Sequence, residues 1–218
     1  MGISSVPEPR WRRLPEERPS QILAAAIEVF GEHGLSAARI DDIARRAGVS
    51  KGTIYLYFPN KEELFKEMIR QTIVAWLEAT EQDLGAETGT ATERLTTYMQ
   101  GWWAALRSPD YLTIYRLVLA ELHHFPELAE FYSHAVVLRA LTLISGLIRR
   151  GVEAGEFRRV DPLVTARILG SMFAAHALWS AMRHCSLPSV LRFSDEETLG
   201  HIMDFFFNAL RLDPPPAA

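Results

Sequence analysis

"SKGTIYLYFPNKEELF", Ser50 to Phe65, sets a lysine, a glycine and a threonine beside two tyrosines and closes on a proline and a second lysine. Ser50 is the residue type that caps a helix start, because its hydroxyl accepts from an amide that has no partner inside the helix. Pro59 ends what Ser50 begins, since a proline disfavours helical geometry in the residue before it. The spacing predicts a short helix over "KGTIYLYF", with Ile54 and Phe58 turned inward and Lys51, Gly52, Thr53, Tyr55 and Tyr57 turned outward. Lysine and tyrosine groups suit phosphate oxygens, Thr53 can reach a phosphate or a base edge, and Gly52 lets a backbone come close. Taken singly, Tyr55 and Tyr57 also fit an aromatic corner that only packs helices.

The residues upstream decide between these readings. "ARIDDIARRAG" places Ile40, Ile43, Ala44 and Ala47 on one helical face, with Asp41 and Asp42 in the first turn and Arg45 and Arg46 in the last. That charge order suits the helix dipole. Gly48 stops this helix, and a very short Gly-Val turn separates it from the next. Before it, "RPSQILAAAIEVFGEHG" has Ile22, Ala26, Val29 and Phe30 at helical spacing, with stop signals at Gly31 and Gly34. Two helices joined by a short Gly-containing turn make a helix-turn-helix, whose second helix enters the DNA major groove.

Charge agrees with a local nucleic-acid surface on a protein that is acidic overall. The net charge is -4, yet residues 1–70 carry 11 Lys and Arg against 10 Asp and Glu. Between Leu35 and Lys61 the basic residues are Arg39, Arg45, Arg46, Lys51 and Lys61, opposed only by Asp41 and Asp42. A hydrophobic content of 48% in 218 residues supplies a sizeable core and excludes a disordered chain. Apolar runs such as "ALTLISGLI" read as too short to span a bilayer, so no membrane is expected. Arg10, Arg12 and Arg13 are followed by "RLPEERPSQ" instead of a secretory apolar segment. With Cys185 the only cysteine, a cytoplasmic protein is expected.

Downstream, "KEELFKEMIRQTIVAWLEATEQDL" predicts one long helix that ties the reading helices to the rest. Leu64, Met68, Ile69, Ile73, Trp76 and Leu77 lie along one side of it. Five further helices follow a Gly and Thr loop, giving an all-α fold. Its expected parts are a flexible arm at 1–15, a DNA-binding unit at 16–65, a larger apolar helical domain at 66–212 and a disordered tail at 213–218. Trp102 and Trp103 are adjacent, so at least one is expected at an edge, pocket or interface. Glu121 and His124 form a single Glu-x-x-His pair, short of the two pairs that a di-iron bundle requires. No phosphate loop or nucleophile and base signature is present, so neither an enzyme, a metal site nor a cofactor is expected.

From Ile22 to Phe65 the chain resembles the TetR family of transcriptional regulators, through "ILAAAIEVFGEHG", "IDDIARRAGVSKGTIYLYF" and "PNKEELF" in that order and spacing. The resemblance implies that Ser50, Lys51, Gly52, Thr53, Tyr55, Tyr57 and Lys61 meet DNA, with Arg39 close to a phosphate. Ala38 and Arg39 depart from the family, which often has a threonine there to cap the second helix. "ELHHFPELAEFY" and "GEFRRVDP" are similar to segments of one common subgroup. The resemblance further implies a homodimeric repressor on a palindromic double-stranded operator, released by a small apolar or aromatic effector. Tyr98, Met99, Trp102, Trp103, Tyr115, Leu119, Phe131, Leu138 and His176 are the expected pocket, or else plain core. The expected dimer helices are 161–185 and 195–211, where "FFF" at Phe205 to Phe207 cannot all be buried in a monomer. The alternatives are a helical enzyme or an interaction module acting on a lipophilic small molecule without sequence-specific DNA binding.

Overall fold

Three short helices carry the reading unit: α1 (Arg18–Ala37), α2 (Ile40–Arg46) and α3 (Lys51–Tyr57). α1 buries Ile22, Ala26, Val29 and Phe30 in one stripe. Its last turn breaks at Gly34, whose φ of 76° lies in the left-handed region that a side chain disfavours. Gly48, at φ 64°, turns α2 into α3. Ser50 caps α3 as its sequence predicts, its Oγ accepting from the Thr53 amide at 3.0 Å. Phe58, extended and directly before Pro59, closes the helix. Ile54 and Phe58 are both buried. By contrast, Arg39 stands at the N-cap of α2 with no side-chain cap, so only backbone groups hold that start.

The computed structural model describes residues 18–86, 88–181 and 194–212. The expected arm at 1–15, the tail at 213–218 and Cys185 lie outside the described residues.

The long connecting helix is built in pieces. Asn60 caps α4 (Lys61–Ile69), accepting from the Glu63 amide at 2.7 Å. A π turn, Arg70–Val74, then leads into α5 (Ala75–Ala86). α4 buries Leu64, Phe65, Met68 and Ile69, and Phe65 meets Phe30 of α1 edge-on at a ring separation of 5.8 Å.

The second domain comprises α6 (Ala91–Arg107), α7 (Pro109–Glu121), α8 (Pro126–Tyr132), α9 (Leu138–Glu153), α10 (Pro162–Ala181) and α11 (Asp195–Leu210). Among the described residues all regular structure is helical. Capping boxes start α6 at Thr90 and α11 at Ser194. A second π turn, Ser133–Val137, joins α8 to α9. The joined helix Pro126–Glu153 includes an 18-residue stretch with a mean hydropathy of 1.5, long and apolar enough to cross a membrane by length and composition alone, which corrects the expectation that no run is. In this fold it is a bundle helix: Ile144, Leu147 and Ile148 are buried, and Arg139 pairs with Glu78 and Glu81 of α5.

Where α9 meets the start of α6, Gly151 is required by space. A Cβ there would lie 2.2 Å from the Phe157 ring and 3.0 Å from Ala91. Next to it, the Glu156 carboxylate accepts from the amides of Ala91 and Thr92 at 2.8 and 2.9 Å, closing the N-terminus of α6. Gly151→Ala is therefore expected to lower unfolding free energy by about 1–3 kcal/mol through overpacking. At Gly101 on α6 an added Cβ would meet nothing within 4 Å, so Gly101→Ala should instead be neutral or raise it by up to about 1 kcal/mol. Denaturant midpoints of the two variants check this contrast.

Candidate functional site

The outward side of α3 is formed as its spacing predicts. Lys51, Gly52, Tyr55 and Tyr57 are exposed, and Thr53 is half-buried with its hydroxyl 2.8 Å from Ser50 Oγ. Leu56, omitted from the sequence expectations, is 82% exposed. An exposed leucine between two tyrosines adds an apolar contact of the kind that thymine methyl groups accept. The signal for it was present: the inward period of Ile54 and Phe58 leaves residue 56 outside.

The basic groups around α3 are already engaged within the chain. Lys51 Nζ lies 3.0 Å from Asp41 Oδ2, and Arg45 pairs with Asp42 at 3.0 Å. Arg46 holds Glu32 at 2.6 Å and Glu28 at 3.2 Å. Its hydrogen bond holds the Glu32 carboxyl below its ordinary pKa. Lys61 Nζ donates to the carbonyls of Leu35 and Ser36, both at 2.9 Å. Arg39 is exposed at the start of α2. Phosphates would exchange these partners for their own oxygens, so the surface is suited to reversible binding.

The same two residues, Leu35 and Ser36, are gripped from the other side by Glu121 of α7. Glu121 Oε1 accepts from the Leu35 amide at 2.9 Å, and Oε2 accepts from the Ser36 amide at 3.0 Å and the Ser36 hydroxyl at 2.7 Å. Partial burial raises the Glu121 pKa, but these bonds and nearby His124 more than offset it, and the net shift is downward. A depressed folded pKa means that the contact stabilises above the ordinary carboxyl range and is lost as pH falls through the lowered value. Glu121 is thus occupied, and the Glu-x-x-His pair is no ligand set. Among the described residues no group of three or more His, Cys, Asp or Glu could hold a metal ion.

Inside the second domain, aromatic rings from four helices pack into one buried cluster. Trp102 stacks on Phe173 at 4.5 Å and lies 5.9 Å from Tyr98 and 6.4 Å from Tyr115. Trp76 of α5 completes it, 5.9 Å from both Tyr98 and Tyr111 and 6.5 Å from Trp102. Trp103 meets the edge of Phe173 at 5.7 Å and the His176 ring at 3.9 Å. Both tryptophans are buried, so neither takes the exposed edge that was one of the places, with a pocket and an interface, expected for one of them; Phe173 of α10 contacts both indoles. Burial pushes the Tyr115 phenol up to about 12 and raises those of Tyr98, Tyr111 and Tyr132 as well, so all stay neutral. Neither Trp102 Nε1 nor Trp103 Nε1 has a hydrogen-bond partner among the described residues; Trp102 lies near the Tyr111 hydroxyl without bonding geometry.

Met99 is fully buried, and three more of the residues expected in a pocket lie outside this cluster. Leu119 and Leu138 are exposed in the single chain. Phe131 lies under the cations of α4 and the π turn, 4.8 Å from the Arg70 guanidinium and 5.9 Å from Lys66 Nζ. Trp76, Tyr111 and Phe173, outside the sequence expectations, belong to the same buried cluster, and Tyr111 and Tyr115 are one helical turn apart and readable as one face.

A continuous apolar face remains open on α10, where Leu163, Val164, Ile168, Leu178 and Trp179 are exposed. Phe205 of α11 is 68% exposed, whereas Phe206 is buried, so Phe205 and not Phe206 is the outward member of the triplet. Ala166 and Ala177 face the chain's own core, and the outer face is made by larger side chains.

Residues 22–68 match the bacterial regulatory proteins of the tetR family, and residues 93–209 match the C-terminal domain of AefR-like transcriptional repressors. The chain is 29% identical over 170 residues to the fatty acid metabolism regulator protein of Bacillus subtilis, covering 76% of this chain and 86% of that one. Over 65 residues it is 46% identical to the HTH-type transcriptional activator FasR of Mycolicibacterium smegmatis, 29% of this chain and 30% of that one. The fold superposes with a TM-score of 0.74 on FadR from Bacillus subtilis in complex with stearoyl-CoA, at 22% identity over 88% of this chain and 99% of that chain. It superposes at 0.76 on a transcriptional regulator from Saccharomonospora viridis in complex with choline, at 23% identity over 91% of this chain and 100% of that chain.

Arg39→Ala and Lys51→Ala are expected to weaken binding to all duplexes alike and to make the slope of log affinity against log salt shallower by about 0.9 each. Thr53→Ala should instead change preference among duplex sequences. Fluorescence titrations on two unrelated duplexes over a range of salt concentrations separate these outcomes.

Proposed function

Because the chain belongs to the TetR family of transcriptional regulators, we propose that it is a ligand-responsive repressor that binds a palindromic operator as a homodimer and leaves it when a lipophilic effector enters the second domain. The observation that carries this reading is α3. A capped, core-anchored helix holds Lys51, Tyr55, Leu56 and Tyr57 outward together, the chemistry for phosphates and base edges on one short face. Ser50, Gly52, Thr53 and Lys61 border that face, and a cytoplasmic location follows from its DNA target.

The dimer rests on the open face of α10 with Phe205 of α11. A helix that is apolar on both sides needs a cover on both, and the second copy of the same chain supplies one through a symmetric contact. A two-fold dimer also suits a palindromic site, with recognition helices about 34 Å apart. The effector reading rests on the buried aromatic cluster of Trp76, Tyr98, Trp102, Tyr115 and Phe173, whose polar groups are neutral phenols and indole N–H groups. Such surroundings suit a lipophilic molecule that offers a hydrogen-bond acceptor. Its relatives include a fatty acid metabolism regulator and a FadR structure that holds stearoyl-CoA, an acyl thioester with those properties.

Selection of random duplexes by the purified protein should enrich a palindrome; no enrichment would overturn the reading. Deletion of the gene should raise transcription from promoters that carry it, and a fall would make the protein an activator. Phe205→Glu or Trp179→Glu should yield helical monomers by light scattering, with operator affinity reduced at least about tenfold. Stearoyl-CoA is the first effector probe: it should weaken operator binding by wild type, and Trp102→Ala should blunt that response while leaving ligand-free operator affinity within about twofold.

A further inference from the structure

The peptide segment Leu35–Ser36 is held by two opposite charges from two domains. Both of its amides and the Ser36 hydroxyl donate to Glu121 of α7, and both of its carbonyls accept from Lys61 of α4. Every backbone polar group of the two residues is therefore bonded to a charged side chain. Lys61 follows α3 by only three residues, and Glu121 closes α7, the helix that carries Tyr111 and Tyr115 of the aromatic cluster. From Tyr115 to Glu121 is about 9 Å along the helix axis.

The local geometry is specific to this contact. Gly34 adopts a φ of 76°, which turns the two amides toward α7, and a Cβ at residue 34 would lie 2.4 Å from Glu121 Oε1. Nearby, α1 and α7 come so close that a Cβ at Gly31 would be 3.0 Å from Thr113 Cγ2. A carboxylate facing only donors cannot be replaced by a group with donors of its own, because one amide hydrogen would then point at another.

We infer that Glu121 is a positioning residue for DNA reading: through the Leu35–Ser36 peptide it sets Lys61 and the helix-turn-helix, and so makes the order of the reading unit depend on the position of α7. This rests on the DNA-binding role above, and it names the residue by which the second domain grips the first. A shift of α7 that accompanies a rearrangement of the aromatic cluster pulls on one carboxylate, and the carboxylate pulls on the saddle between α1 and α2. The two charges act in series across one peptide, so loss of either should release the same segment.

The test is hydrogen exchange on the full-length protein, first without DNA. Glu121→Gln keeps the size of the side chain and places an amide against the three donors. Amides at 33–60 should exchange about tenfold faster in this variant, while those at 141–153 in α9 stay as in wild type. Ser36→Ala removes only the hydroxyl and should give a smaller increase, about threefold, over the same segment. The Glu121→Gln and Lys61→Met effects should be strongly non-additive in the double variant, as for groups acting through one element. With a selected operator duplex bound, protection should extend to 115–121 of α7 in wild type and stop within α1–α4 in Glu121→Gln. Unchanged exchange at 33–60, equal acceleration along the whole chain, additive effects, or α7 protection that survives Glu121→Gln would each overturn the assignment. Should the protein bind no duplex, the repressor reading falls, and the DNA-free comparisons still decide whether Glu121 orders the reading unit.

Discussion

One helical run serves both parts of the fold. Between Lys61 and Ala86 the chain buries Leu64, Phe65, Met68, Ile69, Ile73, Val74, Leu77 and Leu84, and one continuous buried cluster reaches from the reading helices into the second domain. A π turn at Arg70–Val74 lies between α4 and α5, and each extra residue in a turn rotates the following face by about 100°. Phe65 meets Phe30 below the turn, and Trp76 meets Tyr98, Trp102 and Tyr111 above it. Both the reading surface and the aromatic cluster are tied to that one rod.

Charge is arranged so that the reading surface is neutralised internally until something better arrives. Lys51 rests on Asp41, Arg46 on Glu32, and Lys61 on two carbonyls. Exposed pairs of this kind contribute little stability. Giving them up to phosphates is therefore inexpensive, and the acidic remainder of the chain discourages attachment to DNA elsewhere on the surface. Other contacts join distant parts of the chain: Arg70 over Phe131, Arg139 on Glu78 and Glu81, and, between the two domains, Glu121 on Leu35 and Ser36. These tie the π turn, α5 and α7 to partners far away in sequence.

Local chemistry was legible wherever one residue type answers one short-range need. Ser50, Gly48 and Pro59 mark the limits of α3 and its turn, and the inward spacing of Ile54 and Phe58 leaves the DNA side exposed. The same reasoning gave Tyr98, Met99, Trp102, Trp103 and Tyr115 as a pocket or else plain core, and all five are buried. It expected at least one of Trp102 and Trp103 at an edge, pocket or interface; both are buried, because whether a helix has one covered side or two depends on what lies across it. It left open which of Phe205, Phe206 and Phe207 faces outward, since three consecutive phenylalanines carry no period from which to choose.

What the sequence by itself determined is therefore the all-helical class, the helix-turn-helix with its caps, and the membership that its motif spacing implies. Those follow from interactions between residues a turn or two apart, which the chain cannot avoid making. Tertiary structure alone decided the rest. The hand of α10 that seats Phe173 against two tryptophans, the register change at the π turn, and the meeting of Glu121 with residues 35 and 36 all depend on which helices cross. Glu121 lies some 85 positions from Ser36 in the chain, and a carboxylate beside two histidines reads as a solvated helix end or a half-made metal site until the folded backbone brings three donors to it.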